Sequence, residues 1–371
     1  MDLPSFPLVN WFAAAEGRFD ISLSHTDCEP LSVADVLDDS EQRTLANYPL
    51  GYGTFTGLEE LRQAVADQYL TLTSDDVLIF GGASEAIYTF MRTNLKPDDE
   101  VVVQCPIFNS LRGIAEGIGC RIVDWKPRAD SSFVYDVSDL SSLCSDGTKL
   151  IVFNFPHNPS GQMISTDELQ AIVDIAKRHD AMIFSDEQFR LLELPATPLL
   201  PAACDLYERA VSVTGVSKTF GLGGLRIGWL ATRCREILQR AKEYRYYTTE
   251  MTNTPCQMLA AAALRKTNDI LSRNRGVILS NLELLTTFCS RYEQQLLLHP
   301  PQAGTTVLIE QKTGWASTEF CERLLDDQRV FLVPGASMRM SDRLLRIGLG
   351  RSDFADGLER LGRFVSAQNV H

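Results

Sequence analysis

Gly82, Phe108, Asn158, Asp186 and Lys218 each stand just beyond a short β-prone run: VLIF, VVVQCP, IVFNF, AMIFS and AVSVTG, respectively. Taken singly, each has an ordinary reading as a turn glycine, a core aromatic, a turn asparagine, a helix N-cap or a solvated lysine. Taken together and in this order, they form the donor set for one kind of ligand. Backbone N–H groups at a glycine-led helix start, here GGASEA, bind phosphate. An aromatic face stacks on a heteroaromatic ring, a carboxylate holds a ring nitrogen protonated, and a lysine amine attacks an aldehyde. Pyridoxal 5′-phosphate (PLP) carries all four of these features.

The elements that must position these residues are legible in the patterning. Short continuous apolar runs alternate with longer amphipathic segments such as SEAIYTFMRTNL, NSLRGIAEGI and TDELQAIVDIAKRH. That alternation predicts an α/β fold with a mainly parallel central sheet covered by helices on both faces. Such sheets bind ligands beyond the carboxyl ends of their strands, where the five residues fall. After about residue 255 the pattern changes to a long helical stretch, then to TTVLIE, VFLVPG and LLRIGLG. We therefore expect a large domain over residues 41–255 and a smaller α+β domain built from 256–371 with 1–40.

Composition excludes other classes. A net charge of −13 over 371 residues argues against nucleic acid or an anionic membrane as partner. No apolar run approaches the roughly 20 residues needed to cross a bilayer, and the start MDLPSFPLVNWF lacks a basic n-region, so a cytoplasmic protein is expected. Nine cysteines without a C-x-x-C pair suggest reduced thiols and no metal site.

The segment SKTFGLGGLRIGW, residues 217–229, resembles the lysine motif of the fold-type I PLP enzymes, the class I and II aminotransferase superfamily. NFPHNPSG resembles its N-P-x-G turn, SDEQF its D-x-x-Y segment, and YGTFTGLEELRQAV its Y…G…LR region. The resemblance spans nearly the whole chain. It implies that Lys218 bonds the cofactor aldehyde and, once displaced by substrate, moves protons at the substrate α-carbon. It implies that Asp186 pairs with the pyridine nitrogen, Asn158 donates to the ring O3′ and Phe108 stacks on the ring. Gly82, Ala83 and Ser84 would cradle the phosphate with Arg226, and Ser217 would add a hydroxyl. Tyr52 would reach the phosphate of a neighbouring subunit, implying a homodimer with shared sites. Arg346 would hold the substrate α-carboxylate through a bidentate pair. A neutral Lys218 is required, and burial beside the Arg226 cation shifts an amine that way.

Two positions depart from the family pattern. Phe189 replaces the D-x-x-Y tyrosine, removing one hydrogen bond to O3′, and Gly215 stands where a phosphate-binding hydroxyl is common, with Thr214 or Ser217 as substitutes. GGASEAIY, NFPHNPSG, Phe189 and CERLLDDQRVFLVPG together resemble the capreomycidine synthase branch. That branch implies a cyclodehydratase that removes a hydroxyl from a hydroxylated arginine and closes the guanidine onto the chain, as in capreomycidine or enduracididine. The resemblance also implies that the N-terminal segment covers the substrate site, so Glu16, His25, Thr26 and Asp27, from EGRFDISLSHTDCEP, are the candidates to face a substrate guanidinium. A conventional aminotransferase, a PLP-dependent arginine oxidase and a non-catalytic PLP-sensing module are the other readings; residues 1–40 are too short and acidic for a DNA-binding domain.

Overall fold

The computed structural model describes residues 2–128 and 133–367. Its seven-stranded sheet comprises β1 (Val77–Phe80), β2 (Glu100–Gln104), β3 (Arg121–Trp125), β4 (Thr148–Asn154), β5 (Met182–Asp186), β6 (Ala210–Gly215) and β7 (Gly228–Ala231). The order is β1-β7-β6-β5-β4-β2-β3, with β7 antiparallel to both neighbours and every other pairing parallel. The expected mainly parallel α/β sheet is thus present. Two strands join those read from the sequence. RIVDW carries charges at an exposed edge, and GWLA is a four-residue strand hidden behind a glycine-rich segment.

Alternate residues of the central strands enter opposite cores, which is why these runs are apolar throughout. Val101, Val103, Leu150 and Val152 pack with helices Ala83–Asn94, Asn109–Ile118 and Arg235–Arg245. Val102, Ile151 and Phe153 pack with helix Thr166–Arg178 on the other face. That helix starts at a Ser165/Glu168 capping box and ends with Lys177 and Arg178, complementing its dipole at both ends.

The four-stranded antiparallel sheet contains β8 (Leu296–His299), β9 (Thr306–Gln311), β10 (Val333–Pro334) and β11 (Leu344–Gly348), in the order β10-β11-β9-β8. Ile21–Ser22 pairs parallel with Val330–Phe331, tying the N-terminal segment to this unit. The long helical stretch after residue 255 is two helices, Thr254–Arg265 and Thr267–Arg291. Leu259, Ala263 and Leu264 of the first pack with Val77, Ile79 and Trp229 of the large sheet, whereas Leu271, Ile278 and Leu285 of the second pack under the small one. We therefore propose the two-domain division with its boundary near Lys266 rather than the expected residue 255, because helix Thr254–Arg265 packs with the large sheet. Among the described residues no helix is long and apolar enough to cross a membrane, and no cluster of His, Cys, Asp and Glu could hold a metal ion.

Candidate active site

Parallel pairing places Asn154, the last residue of β4, directly beside Asp186, the last of β5. The carboxyl ends of β4, β5 and β6 open into a cavity of about 380 Å³, roofed by Leu8, Val9 and Phe12 of helix Pro7–Ala15. Ala83, Ser84, Phe108, Asn158, Asp186, Ser217, Lys218, Arg226, Arg346, His25 and Thr26 all line it. Parts of the chain more than 300 residues apart therefore meet at one point.

Gly82 precedes helix Ala83–Asn94 with φ 97°, and no side chain caps the helix start. The first-turn N–H groups are left to bind an anion. A Cβ at Gly82 would lie 2.5 Å from a terminal nitrogen of Arg226, so the guanidinium covers the same spot. Arg226 itself adopts a left-handed conformation, φ 51° and ψ 54°, which turns the chain back from the lysine loop into β7.

The Lys218 ammonium donates to Thr26 Oγ1 at 2.7 Å, and the Cys28 N–H donates to the Lys218 carbonyl at 3.0 Å. Burial pulls the Lys218 amine below its ordinary value; Asp27 opposes this, while Arg346 and Arg226 add to it. Asp186 is pushed up to about 7, chiefly by burial, although its Oδ1 accepts the Gln188 N–H at 3.0 Å. A buried carboxyl in this condition is complementary to a cationic ring N–H. Asn154 Nδ2 donates to the Asp186 carbonyl at 2.8 Å while its Oδ1 accepts the Asn158 N–H at 2.7 Å.

Arg346, 2% exposed, lies in β11 opposite Leu308 and Val333. It donates to Asn158 Oδ1 and to the Ser24 carbonyl, both at 3.2 Å, and its buried Nε has no partner. No carboxylate among the described residues pairs with it, and burial pulls its guanidinium below the usual range. A buried fork without a counter-ion is a receptor for a carboxylate.

Glu16 is a correction. It is exposed at the C-cap of helix Pro7–Ala15, past the turns that roof the cavity, and does not line it. The carboxylate of that segment that does face inward is Asp27, whose Oδ2 accepts from Arg351 at 2.8 Å. His25 lies beside it, its imidazole lowered by burial and then by the Arg351 cation. Tyr52 is 92% exposed and lies outside the cavity. Of the two candidate substitutes for a hydroxyl at Gly215, Ser217 lines the cavity and Thr214 lies elsewhere, beside Phe220 and Trp229. Gly215 itself is explained by packing: a Cβ there would lie 2.6 Å from the Ile227 carbonyl oxygen and 2.9 Å from Gly228 Cα, because β7 crosses at that point. Sequence reasoning missed Asn154 and Gln188; Asn154 is masked by its place inside the apolar run IVFNF.

The donor set fits PLP on geometric grounds. The uncapped helix start beneath Arg226 suits a phosphate, Asp186 a protonated pyridine, Phe108 a ring face and Lys218 an aldehyde. One consequence is measurable in the apoprotein. An exposed carboxyl in the unfolded chain titrates near 3.9, and the folded Asp186 near 7. Between those values the unfolded chain releases a proton that the native state keeps, so stability falls as pH rises through the window. Apo Asp186→Asn should match the wild type near pH 4 and exceed it above pH 7 by on the order of 4 kcal/mol. Urea unfolding of both apoproteins across this range checks it.

The comparisons with known proteins agree with this geometry. The family described as aminotransferase class I and II matches residues 22–355. A capreomycidine synthase from Streptomyces vinaceus is 30% identical over 350 residues, covering 93% of this chain and 89% of that protein. The crystal structure of a PLP-dependent aminotransferase from Streptococcus suis superimposes with a TM-score of 0.94 at 25% identity, covering all of both chains. That of the PLP-dependent cyclase OrfR superimposes with a TM-score of 0.91 at 27% identity, covering 99% of this chain and 98% of that one.

Proposed function

We propose that this chain, which belongs to the aminotransferase class I and II family of PLP-dependent enzymes, is a cyclodehydratase acting on a hydroxylated arginine. The observation that carries the reading is the 30% identity to a capreomycidine synthase over 93% of the chain. The likeness to a PLP-dependent cyclase supports it. So does the cavity, where Phe189 stands in place of the O3′ tyrosine and Asp27 offers a carboxylate to a basic side chain.

When bound, PLP supplies an electron sink for charge left at the substrate α-carbon. The chain's own residues do the rest. Gly82, Ala83, Ser84 and Ser217 with Arg226 hold the phosphate, Asp186 the ring nitrogen, Asn158 the O3′ side, and Phe108 the ring face. Arg346 binds the α-carboxylate and so fixes which bond at the α-carbon faces Lys218. Lys218, held by Thr26 when free, would take the α-proton and pass it to the departing side-chain hydroxyl, which leaves as water; a guanidine N–H then adds to the unsaturated carbon and gives up its proton, and the α-carbon regains one from Lys218. The net change is loss of one water, with the amino group retained and no oxo acid consumed. Leu8, Val9 and Phe12 keep bulk water from the site. His25 and Asp27 stand where the far end of the side chain would lie. Tyr52, with Leu50 85% and Tyr247 91% exposed, supports a homodimer in which Tyr52 completes the partner's phosphate site.

Mass spectrometry of arginine and its hydroxylated forms after incubation with PLP-loaded enzyme, without any oxo acid, tests the reaction. A product one water lighter than a hydroxyarginine is expected. Turnover only after 2-oxoglutarate or pyruvate is added would instead make the protein a conventional aminotransferase.

A further inference from the structure

His157 stands next to Asn158 but faces away from the cavity, 1% exposed beneath the two turns that flank the cofactor slot. Its Nε2 lies 2.8 Å from the Pro106 carbonyl, in the turn after β2 that leads to Phe108. Its Nδ1 lies 2.6 Å from Ser160 Oγ, in the turn after β4 that carries Asn158. Nε2 also lies 3.2 Å from the Tyr135 hydroxyl, which donates to the Cys105 carbonyl; with the Pro106 carbonyl able only to accept, Nε2 carries the proton and Nδ1 accepts from the Ser160 hydroxyl. Burial pushes the imidazole down to about 4, keeping it neutral and this arrangement fixed at ordinary pH. Tyr135 packs edge-on at 5.1 Å and donates its hydroxyl to the Cys105 carbonyl at 3.1 Å, closing the same turn from the other side. The turn itself is tight, with the Gly161 N–H on the His157 carbonyl at 2.7 Å and the His157 N–H on the Gln162 carbonyl at 3.0 Å.

One ring therefore ties together the segment bearing Phe108 and the segment bearing Asn158, and Asn158 Oδ1 in turn accepts from Arg346 at 3.2 Å. We propose that His157 is a positioning residue that sets the width of the cofactor slot between Phe108 and Asn158 and, through Asn158, the aim of Arg346 at the substrate carboxylate. This rests on the reading that Asn158 and Phe108 face PLP.

The test compares His157→Phe, which keeps a ring but no hydrogen bond, with His157→Gln, which keeps a donor and an acceptor, and with Ser160→Ala, which leaves the imidazole in place. For each, PLP affinity, the pH titration of the cofactor's visible absorbance, KM and kcat are measured beside the apoprotein melting temperature. In His157→Phe, PLP affinity should weaken and KM rise, each on the order of tenfold, with the absorbance titration displaced and kcat less affected. His157→Gln should restore both, and Ser160→Ala should show a smaller displacement of the same sign; Ser160→Ala decides the matter if His157→Phe does not fold. A lower melting temperature with unchanged absorbance titration, PLP affinity and KM would overturn the proposal, as would a silent Ser160→Ala. Asn158→Ala separates the two readings. If it leaves the absorbance titration unchanged, the role of Asn158 fails and the proposal with it; if it shifts the titration and His157→Phe does not, only the role of His157 is overturned.

Discussion

Replacement of Lys218 by alanine should lower kcat by about four orders of magnitude or more, because the group proposed to move protons at the substrate α-carbon is lost. The structure gives the reason the loss cannot be made good by a neighbour. Lys218 Nζ sits 2.7 Å from Thr26 Oγ1, a hydroxyl that can hold an amine but does not act as a base near neutral pH. Of the two carboxylates whose charge acts on Lys218, Asp27 is paired with Arg351, and Asp186 is proposed to hold the ring nitrogen. PLP should still bind, since the helix start at Gly82 and Arg226 do not depend on the lysine, but the visible absorbance that reports a bond to Lys218 should vanish. Steady-state rates together with absorbance spectra of the variant check both statements. Added small primary amines should restore part of the rate; activity within tenfold of the wild type without them would remove Lys218 from the role.

Arg346→Ala should cost roughly 10²- to 10³-fold in kcat/KM, mostly through KM, corresponding to about 3–4 kcal/mol for a buried, charge-assisted pair. The size follows from burial. The guanidinium is 2% exposed, and among the described residues its only oxygen partners are the neutral Asn158 Oδ1 and Ser24 carbonyl and its Nε has none, which leaves bonding capacity for the proposed carboxylate. Arg346→Lys should rescue little, because a point-charge ammonium cannot reproduce the fork that spans Asn158, the Ser24 carbonyl and a carboxylate at once. Kinetics on the best substrate, with and without its α-carboxylate amidated, give the check. The amide should be a poor substrate for the wild type and be no more impaired by Arg346→Ala.

Much of this site is legible in the sequence because parallel strands deliver their carboxyl ends to one edge of a sheet. Asp186, Asn158 and Lys218 each follow an apolar run, and five such runs point to one ligand-binding edge. What remained hidden depends on distance in the chain or on backbone crossing. Asp27 and Arg351 are 324 residues apart, and their segments meet through the pairing of Ile21–Ser22 with Val330–Phe331 and through the Gly348 N–H on the Leu23 carbonyl at 2.8 Å. Glu16 and Asp27 are equivalent candidates in a one-dimensional reading; the first is left exposed at the end of helix Pro7–Ala15, and the second lines the cavity beside Arg351. Gly215 looks like a missing hydroxyl until β7 is seen to cross within 3 Å of where a side chain would begin. Strand β7 itself was invisible as a strand because GWLA is short and follows glycines that read as a loop.

The central claim is that the substrate leaves one water lighter with its own amino group still attached. The most direct measurement gives the PLP-loaded enzyme a hydroxyarginine labelled with ¹⁵N at the α-amino group, in the presence of unlabelled 2-oxoglutarate and pyruvate, and follows the label by mass spectrometry. All of the label should remain in a dehydrated, cyclic product, and none should enter glutamate or alanine. Label appearing in glutamate or alanine, with a hydroxylated oxo acid as the partner product, would contradict the claim and make the enzyme an aminotransferase.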